Sequence, residues 1–169
     1  MTHARDHYAN WLREAHAMEA QGLVMLDAQS RRLQNYPELK LRMERHTEES
    51  RRHLQALEGL LGQLPSRGNF LLKDVAGKVT ARFHGLSGIF VPDEVVKTMM
   101  AAYAFEHMEI AAYRVLIATA DELGEAEAMA IFENILEEET AMAAWLAGNL
   151  DETTCLFLMR DERELQAKR

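Results

Sequence analysis

Cysteine and proline are nearly missing from this chain: Cys155 stands alone, and only three prolines occur in 169 residues. One cysteine excludes an internal disulfide framework and suits a reducing compartment. Few prolines leave long stretches free to be helical. Positive charge is also in deficit, with 19 basic against 27 acidic residues and a formal net charge of -8, which argues against a nucleic-acid surface. No apolar run approaches membrane-spanning length, and the segment through Arg5, His7, Trp11 and Arg13 is not signal-like. The expectation is a cytoplasmic protein with neither nucleic-acid nor membrane partners. Cys-x-x-Cys, a phosphate loop and Gly-x-Gly-x-x-Gly are all absent. Gly85-Leu86-Ser87-Gly88 reads as a bend, and Cys155 within Thr-Thr-Cys-Leu-Phe-Leu as a small hydrophobe.

What the chain does have is apolar residues at helical spacing. At 48 % hydrophobic and 19.3 kDa it is large enough for one continuous core. A first helix is predicted from about Ala4 to Leu33, with Leu12, His16, Glu19, Leu23 and Leu26 on one face. Asn35-Tyr36-Pro37 breaks it, and a second helix follows from Glu38 to Leu64, with an inward row of Met43, His46, Glu49/Ser50, His53, Leu57 and Leu60. Pro65-Ser66-Arg67-Gly68-Asn69 stops that helix. Residues 70–91 read as a less regular bridge in which Phe70-Leu71-Leu72 and Val75 support a short helix and Phe90-Val91 an anchor. A third helix begins around Pro92-Asp93-Glu94 and runs to Glu122, where Leu123-Gly124 stops it. A fourth covers Glu125 to Leu146 and ends at Gly148-Asn149, and Asp151 is placed to cap a separate short helix over 152–166. The expected fold class is all-α: a ferritin-like four-helix bundle of two antiparallel hairpins joined by one long crossover. It occupies residues 1–150, with 151–169 a helical extension packed on it.

Several acids and histidines fall where these faces should carry hydrocarbon. A buried, unpaired carboxylate costs several kcal/mol, so several at one level call for cations, protons or water between them. Glu19 and Glu49 are 30 residues apart and Glu109 and Glu138 are 29, which brings both pairs to one level in antiparallel hairpins. Glu106 and Glu109 project from one face of the third helix, and Tyr113 continues it with a hydroxyl able to bond a ligating carboxylate. On the second helix Glu49 is joined by His46 and His53. Arg45, Glu48, Arg51 and Arg52 around them leave a surface reading of either histidine open. His16 is an outer ligand, a supporting donor or a satisfied core histidine. On the fourth helix Ile131, Ile135, Glu138, Met142 and Trp145 form a stripe that selects Glu138, with Glu139 as fallback on the stripe Phe132, Leu136, Glu139 and Ala143. The metal ligands predicted are therefore Glu19, Glu49, His53, Glu106, Glu109 and Glu138. The secondary candidates are His16, His46, Tyr113 and Glu139.

Four tracts carry a resemblance: Met18-Glu19-Ala20-Gln21, His46-Thr47-Glu48-Glu49-Ser50, Ala104-Phe105-Glu106-His107-Met108-Glu109-Ile110-Ala111-Ala112-Tyr113, and Leu136-Glu137-Glu138-Glu139. With the long helices, roughly residues 8 to 150 resemble the YciE/YciF family of ferritin-like bacterial proteins. The resemblance implies a dinuclear iron site held by Glu19, Glu49, Glu106, Glu109 and Glu138, dimerisation, and an ill-defined role in the stress response. The family often has glutamine where His53 stands, which marks His53 as a local addition.

The expected function is a di-iron carboxylate protein that oxidises Fe(II) with oxygen or hydrogen peroxide, with two iron ions (or manganese) as cofactor. Glu49 and Glu109 are the bridging choices and Glu19, Glu106 and Glu138 the terminal ones. The competing expectation is a nonenzymatic metal-binding, structural or interaction protein in which protons or His–Glu pairs replace the metals. Leu156, Phe157 and Leu158, together with Phe90 and Val91, exceed what one bundle face requires; their use is to dock the bridge and tail or to make a homodimer, and a homodimer is the expected assembly.

Overall fold

The computed structural model describes residues 2–64 and 95–163. The Pro65–Asn69 stop, the bridge over 70–91 with its Phe90-Val91 anchor and Gly85–Gly88 bend, and the Pro92 start lie outside the described residues. Four helices account for nearly all of the rest: α1 Thr2–Ser30, α2 Pro37–Gln63, α3 Val95–Leu123 and α4 Ala126–Glu162. No described helix is long and apolar enough to cross a membrane.

Each helix presents a row in which buried residues alternate steps of three and four. The rows run Tyr8, Leu12, Ala15, Glu19, Gly22 and Leu26 on α1, and Leu39, Met43, His46, Ser50, His53, Leu57 and Leu60 on α2. On α3 they are Met99, Ala102, Glu106, Glu109, Tyr113, Leu116 and Ala120, and on α4 Ala128, Phe132, Ile135, Glu139, Met142 and Leu146. This seven-residue repeat keeps one face turned to the bundle axis over the full helix length.

Pairing follows from which ends share a core. At one end Tyr8 and Leu12 pack with Leu57, Leu60, Leu116, Ala120, Ala128 and Phe132. At the other, Leu26 packs with Leu39, Met43, Met99, Met142 and Leu146. The hairpins α1/α2 and α3/α4 are therefore antiparallel, and the chain leaves α2 at one end of the bundle and enters α3 at the other. Pro37 opens α2, tolerated in a first turn that lacks a backbone partner. Gly124, at φ 70, closes α3: its N–H donates to Asp121 and that of Glu125 to Ala120, a paired termination that favours glycine in the left-handed region.

One sequence expectation is corrected. The break at Gly148-Asn149 and the separate C-terminal helix do not form; α4 runs unbroken to Glu162. Glycine within a helix costs only about 1 kcal/mol. Against that, Leu150, Leu156 and Phe157 beyond it pack on the second core, which includes Leu33 and Tyr36 of the α1–α2 link. Asn149 donates its side-chain amide to Trp145 O at 2.7 Å, a bond one turn back that the continuing helix accommodates.

Candidate metal centre

Between the two apolar cores the four rows turn polar at one level. α1 contributes Glu19, α2 His46 and His53, α3 Glu106, Glu109 and Tyr113, and α4 Glu139; all are buried. His46 and His53 reach the same face because they stand seven residues apart in the repeat.

Two triads result, Glu19–His53–Glu139 and His46–Glu106–Glu139, each with one donor atom per residue within 4.8 Å of the others. His46 Nε2 lies 3.2 Å from Glu106 Oε2 and 3.3 Å from Glu139 Oε2. His53 Nδ1 lies 3.0 Å from Glu139 Oε1 and 3.3 Å from Glu19 Oε1. Glu139 is common to both, one oxygen turned to each imidazole. Glu109 is in neither triad, but the charges of Glu139, Glu19 and Glu106 all act on it. Tyr113 donates its phenol to Glu19 Oε1 at 2.5 Å. Gly22 provides the clearance on α1: a Cβ there would meet Phe105 Cε1 at 2.7 Å and Glu109 Oε1 at 3.3 Å.

The outward nitrogen of each histidine is held by another carboxylate. His46 Nδ1 meets Glu49 Oε2 at 2.8 Å, and Glu49 also accepts from Arg42 at 3.1 Å and Arg45 at 3.2 Å. His53 Nε2 meets Glu138 Oε2 at 2.8 Å, and Arg52 donates to both Glu138 oxygens at 3.1 and 3.2 Å. Such pairing fixes which ring nitrogen faces inward.

The ionisation states follow from this packing. Burial pushes the Glu19, Glu106 and Glu109 carboxyls up, Glu106 to about 8 and Glu109 well above the ordinary carboxylate value. Burial also works against charge on the histidines but is outweighed by the carboxylates around them, so His46 rises to about 12 and His53 to about 10. Against its own burial, Glu139 is held low by both histidines, and Glu49 is held at about 2 by His46 and Arg42.

Even so, the layer is under-satisfied. Glu19 Oε2, Glu106 Oε2, both Glu139 oxygens and His53 Nδ1 make no hydrogen bond. The 3.0–3.3 Å approaches of Glu106, Glu139 and His53 are charge contacts without hydrogen-bond direction. A buried unsatisfied group costs about 1–3 kcal/mol, more when charged, so five at one level need a reason.

Of the residues predicted from sequence, Glu19, His53, Glu106 and Glu109 meet in this layer, with His46, Tyr113 and Glu139 from the secondary set. Glu49 sits behind His46, and His16 lies at the rim, its Nε2 3.4 Å from Glu58 Oε1. The inward choice on α4 is corrected: Glu139 is fully buried, whereas the Glu138 side chain is 39 % exposed. The true row is Phe132, Ile135, Glu139, Met142 and Leu146, one residue on from the predicted stripe at alternate steps. The orienting roles of Glu49 and Glu138 were not anticipated, although Glu49, three residues after His46, stood within reach of it on one helix face.

Comparison with known proteins agrees with this architecture. The profile of a family described as a domain of unknown function, DUF892, matches residues 3–159. A Xanthomonas campestris protein, XCC3681, is 31 % identical, with 94 % of this chain and 99 % of that one covered and a TM-score of 0.73. The Escherichia coli stress protein YciF is 22 % identical over 89 % of this chain and 96 % of its own, with a TM-score of 0.70. YcfI from Rhodopseudomonas palustris is 28 % identical over 85 % and 92 %, with a TM-score of 0.66. The fold is a ferritin-like four-helix bundle.

Proposed function

The chain belongs to the DUF892 family, and on that footing we propose that its buried carboxylate–histidine layer holds two iron ions and oxidises Fe(II) with oxygen or hydrogen peroxide. The observation that carries this reading is Glu139, a buried carboxylate with no hydrogen bond to either oxygen and a different imidazole facing each one. Two cations that share Glu139 would satisfy all five orphaned atoms together. Glu19 and His53 would complete one half, and Glu106 and His46 the other. Glu109, on which the charges of Glu139, Glu19 and Glu106 all act, would be a further donor. Glu19, Glu106, Glu109 and Glu139 when ionised balance two divalent ions, with both imidazoles neutral. Carboxylate and imidazole donors suit iron and also manganese.

When bound, the metal pair would supply the redox chemistry for oxygen or peroxide. The protein's own part is to aim the donors and keep the layer dry. Glu49 and Glu138 turn Nε2 of His46 and Nδ1 of His53 inward, Tyr113 fixes Glu19 by its phenol, and the apolar cores above and below exclude bulk water.

A second reading, a nonenzymatic role in which protons on the buried carboxyls together with charged His46 and His53 balance the acids, is favoured by the charge contacts these histidines make. Anaerobic Fe(II) titration followed by oxygen or peroxide, read by absorbance and stoichiometry, separates the two. Saturation near two Fe(II) with oxidation on the pulse supports the enzyme; no uptake after reconstitution leaves the scaffold. The E. coli relative's description as a stress protein extends the proposal to a stress-related role. A homodimer is proposed with it, because Leu158 and Met159 near the end of α4 stand exposed. A light-scattering mass near 19 kDa rejects the dimer.

A further inference from the structure

The carboxylates behind the two histidines differ in ways the metal layer alone does not require. Glu49 is on the same helix as His46, and its side chain and that of Arg42 are only 9 % and 13 % exposed. Glu138 reaches His53 from α4, and it and Arg52 are 39 % and 60 % exposed. Beside this second pair an open cleft of ≈ 220 Å³ lies between α2 and α4, lined by Ala56, Ile131, Asn134 and Ile135 and by His53 itself. His53, although 3 % exposed as a residue, thus borders solvent-accessible space on one side. On its other side is a buried Nδ1 with no hydrogen bond.

We infer that Glu138, braced by Arg52, is a positioning residue for His53, and that it makes the Glu19–His53–Glu139 half of the layer the exchangeable half, reached by a divalent cation through this cleft. Glu138 does not bind metal. It accepts the Nε2 proton of His53 and so leaves the Nδ1 lone pair for the cation. Arg52 holds Glu138 in that pose but is itself largely in water, so the brace opens at little cost. When it opens, His53 loses its orienting partner and the cation in that half is released toward the cleft. The His46 half has no such release, because Glu49 and its inner partner Arg42 both stand on α2 and are largely buried, even though Arg45 is exposed.

This inference rests on the metal-binding reading above, and its test separates the two. The full chain is loaded anaerobically with Co(II), whose visible spectrum reports imidazole ligation, and then mixed with excess EDTA. Wild type should bind two equivalents and release them in two phases at least about tenfold apart in rate. His53→Ala should abolish the fast phase and keep the slow one. Glu138→Ala should weaken one equivalent by about 10–100-fold and leave the other unchanged. Glu138→Gln, which keeps an oxygen for the Nε2–H, should restore most of that affinity. Arg52→Ala should speed the fast phase alone. Two equivalents leaving at one rate, or equal losses on both in Glu138→Ala, overturn the inference and leave the metal site standing. No Co(II) uptake by wild type overturns both.

Discussion

The two histidine corners of the layer repeat one chain of contacts, arginine to carboxylate to imidazole to inward carboxylates, but build it differently. The His46 chain is local: Glu49 follows by three residues on α2 and comes into place as soon as that helix forms. The His53 chain is tertiary: Glu138 arrives only when α4 docks, and it is held by an arginine in solvent. Burial and locality make the first corner rigid, whereas exposure and long range make the second one breakable. A site that must hold metal and also acquire it has use for one corner of each kind.

The most severe break removes what the corners share. Glu139→Ala should abolish both binding steps, each weakened more than about 100-fold since each loses a ligand and not merely its support. Calorimetry on the anaerobic protein checks this; survival of either step at wild-type affinity rejects Glu139 as the common ligand.

Next come the histidines, taken one at a time in the metal-free protein. His46→Ala takes from Glu106 its imidazole partner and from Glu139 one of its two, and breaking such a buried pair costs about 3–5 kcal/mol. His53→Ala should cost less, because Glu19 keeps the Tyr113 phenol and Glu138, at 39 % exposed, is solvated where Glu106 is not. Urea unfolding of both variants in chelator measures the difference. Equal losses would erase the distinction between the corners.

The pH dependence of the metal-free protein has a definite sign. Groups whose folded values are raised give stability that is lost as pH climbs. For Glu106 that loss runs from 4.5 to about 8, and for His53 and His46 from 6.5 to about 10 and 12. Glu49, held at about 2, gives stability lost only as pH falls from 4.5. Stability should therefore peak near pH 4.5 and decline toward alkaline pH. Metal reverses the trend, because its ligands must shed those same protons. Melting temperatures with and without metal from pH 4 to 9 should converge at the acid end and diverge at the alkaline end.

Much of this was legible in the sequence. Four helices, their pairing and a polar band at mid-height follow from apolar residues at steps of three and four interrupted by acids. The face of α4 was harder. The rows Ile131, Ile135, Glu138, Met142, Trp145 and Phe132, Ile135, Glu139, Met142, Leu146 share two members and nearly the same spacing, and apolar residues flank both. Only packing against the other three helices decides, and it buries Phe132 and Leu146 fully while leaving Ile131 and Trp145 partly open. Tertiary contact likewise overrode the stop signal at Gly148-Asn149. The Glu138–His53 contact spans 85 residues, beyond the reach of any local pattern.

Two glycines give smaller effects with opposite signs. Gly22→Ala gains helix propensity worth about 1 kcal/mol. Its Cβ, however, would lie 2.7 Å from the ring of Phe105, itself only 6 % exposed, and 3.3 Å from Glu109. Overpacking of this kind costs about 1–3 kcal/mol, so the variant should be modestly less stable, and displacement of Glu109 should weaken metal binding in both halves. Chemical denaturation beside a Co(II) titration checks the two readouts together.

Gly148→Ala is the smallest perturbation and the control for both corners. Gly148 is exposed, lacks a positive φ, and a Cβ there meets nothing within 4 Å. In an unbroken α4 the substitution has no steric cost and recovers about 0.5–1 kcal/mol of helix propensity, or a few degrees in melting temperature at about this chain length. Both metal-binding steps should stay as in wild type, because Gly148 is nine residues beyond Glu139 and on the solvent side. If the chain instead broke at Gly148 in the left-handed region, alanine would be strained there and stability would fall. A drop in melting temperature would thus restore the separate C-terminal helix expected from sequence, whereas a rise with unchanged metal affinity supports the single 37-residue helix.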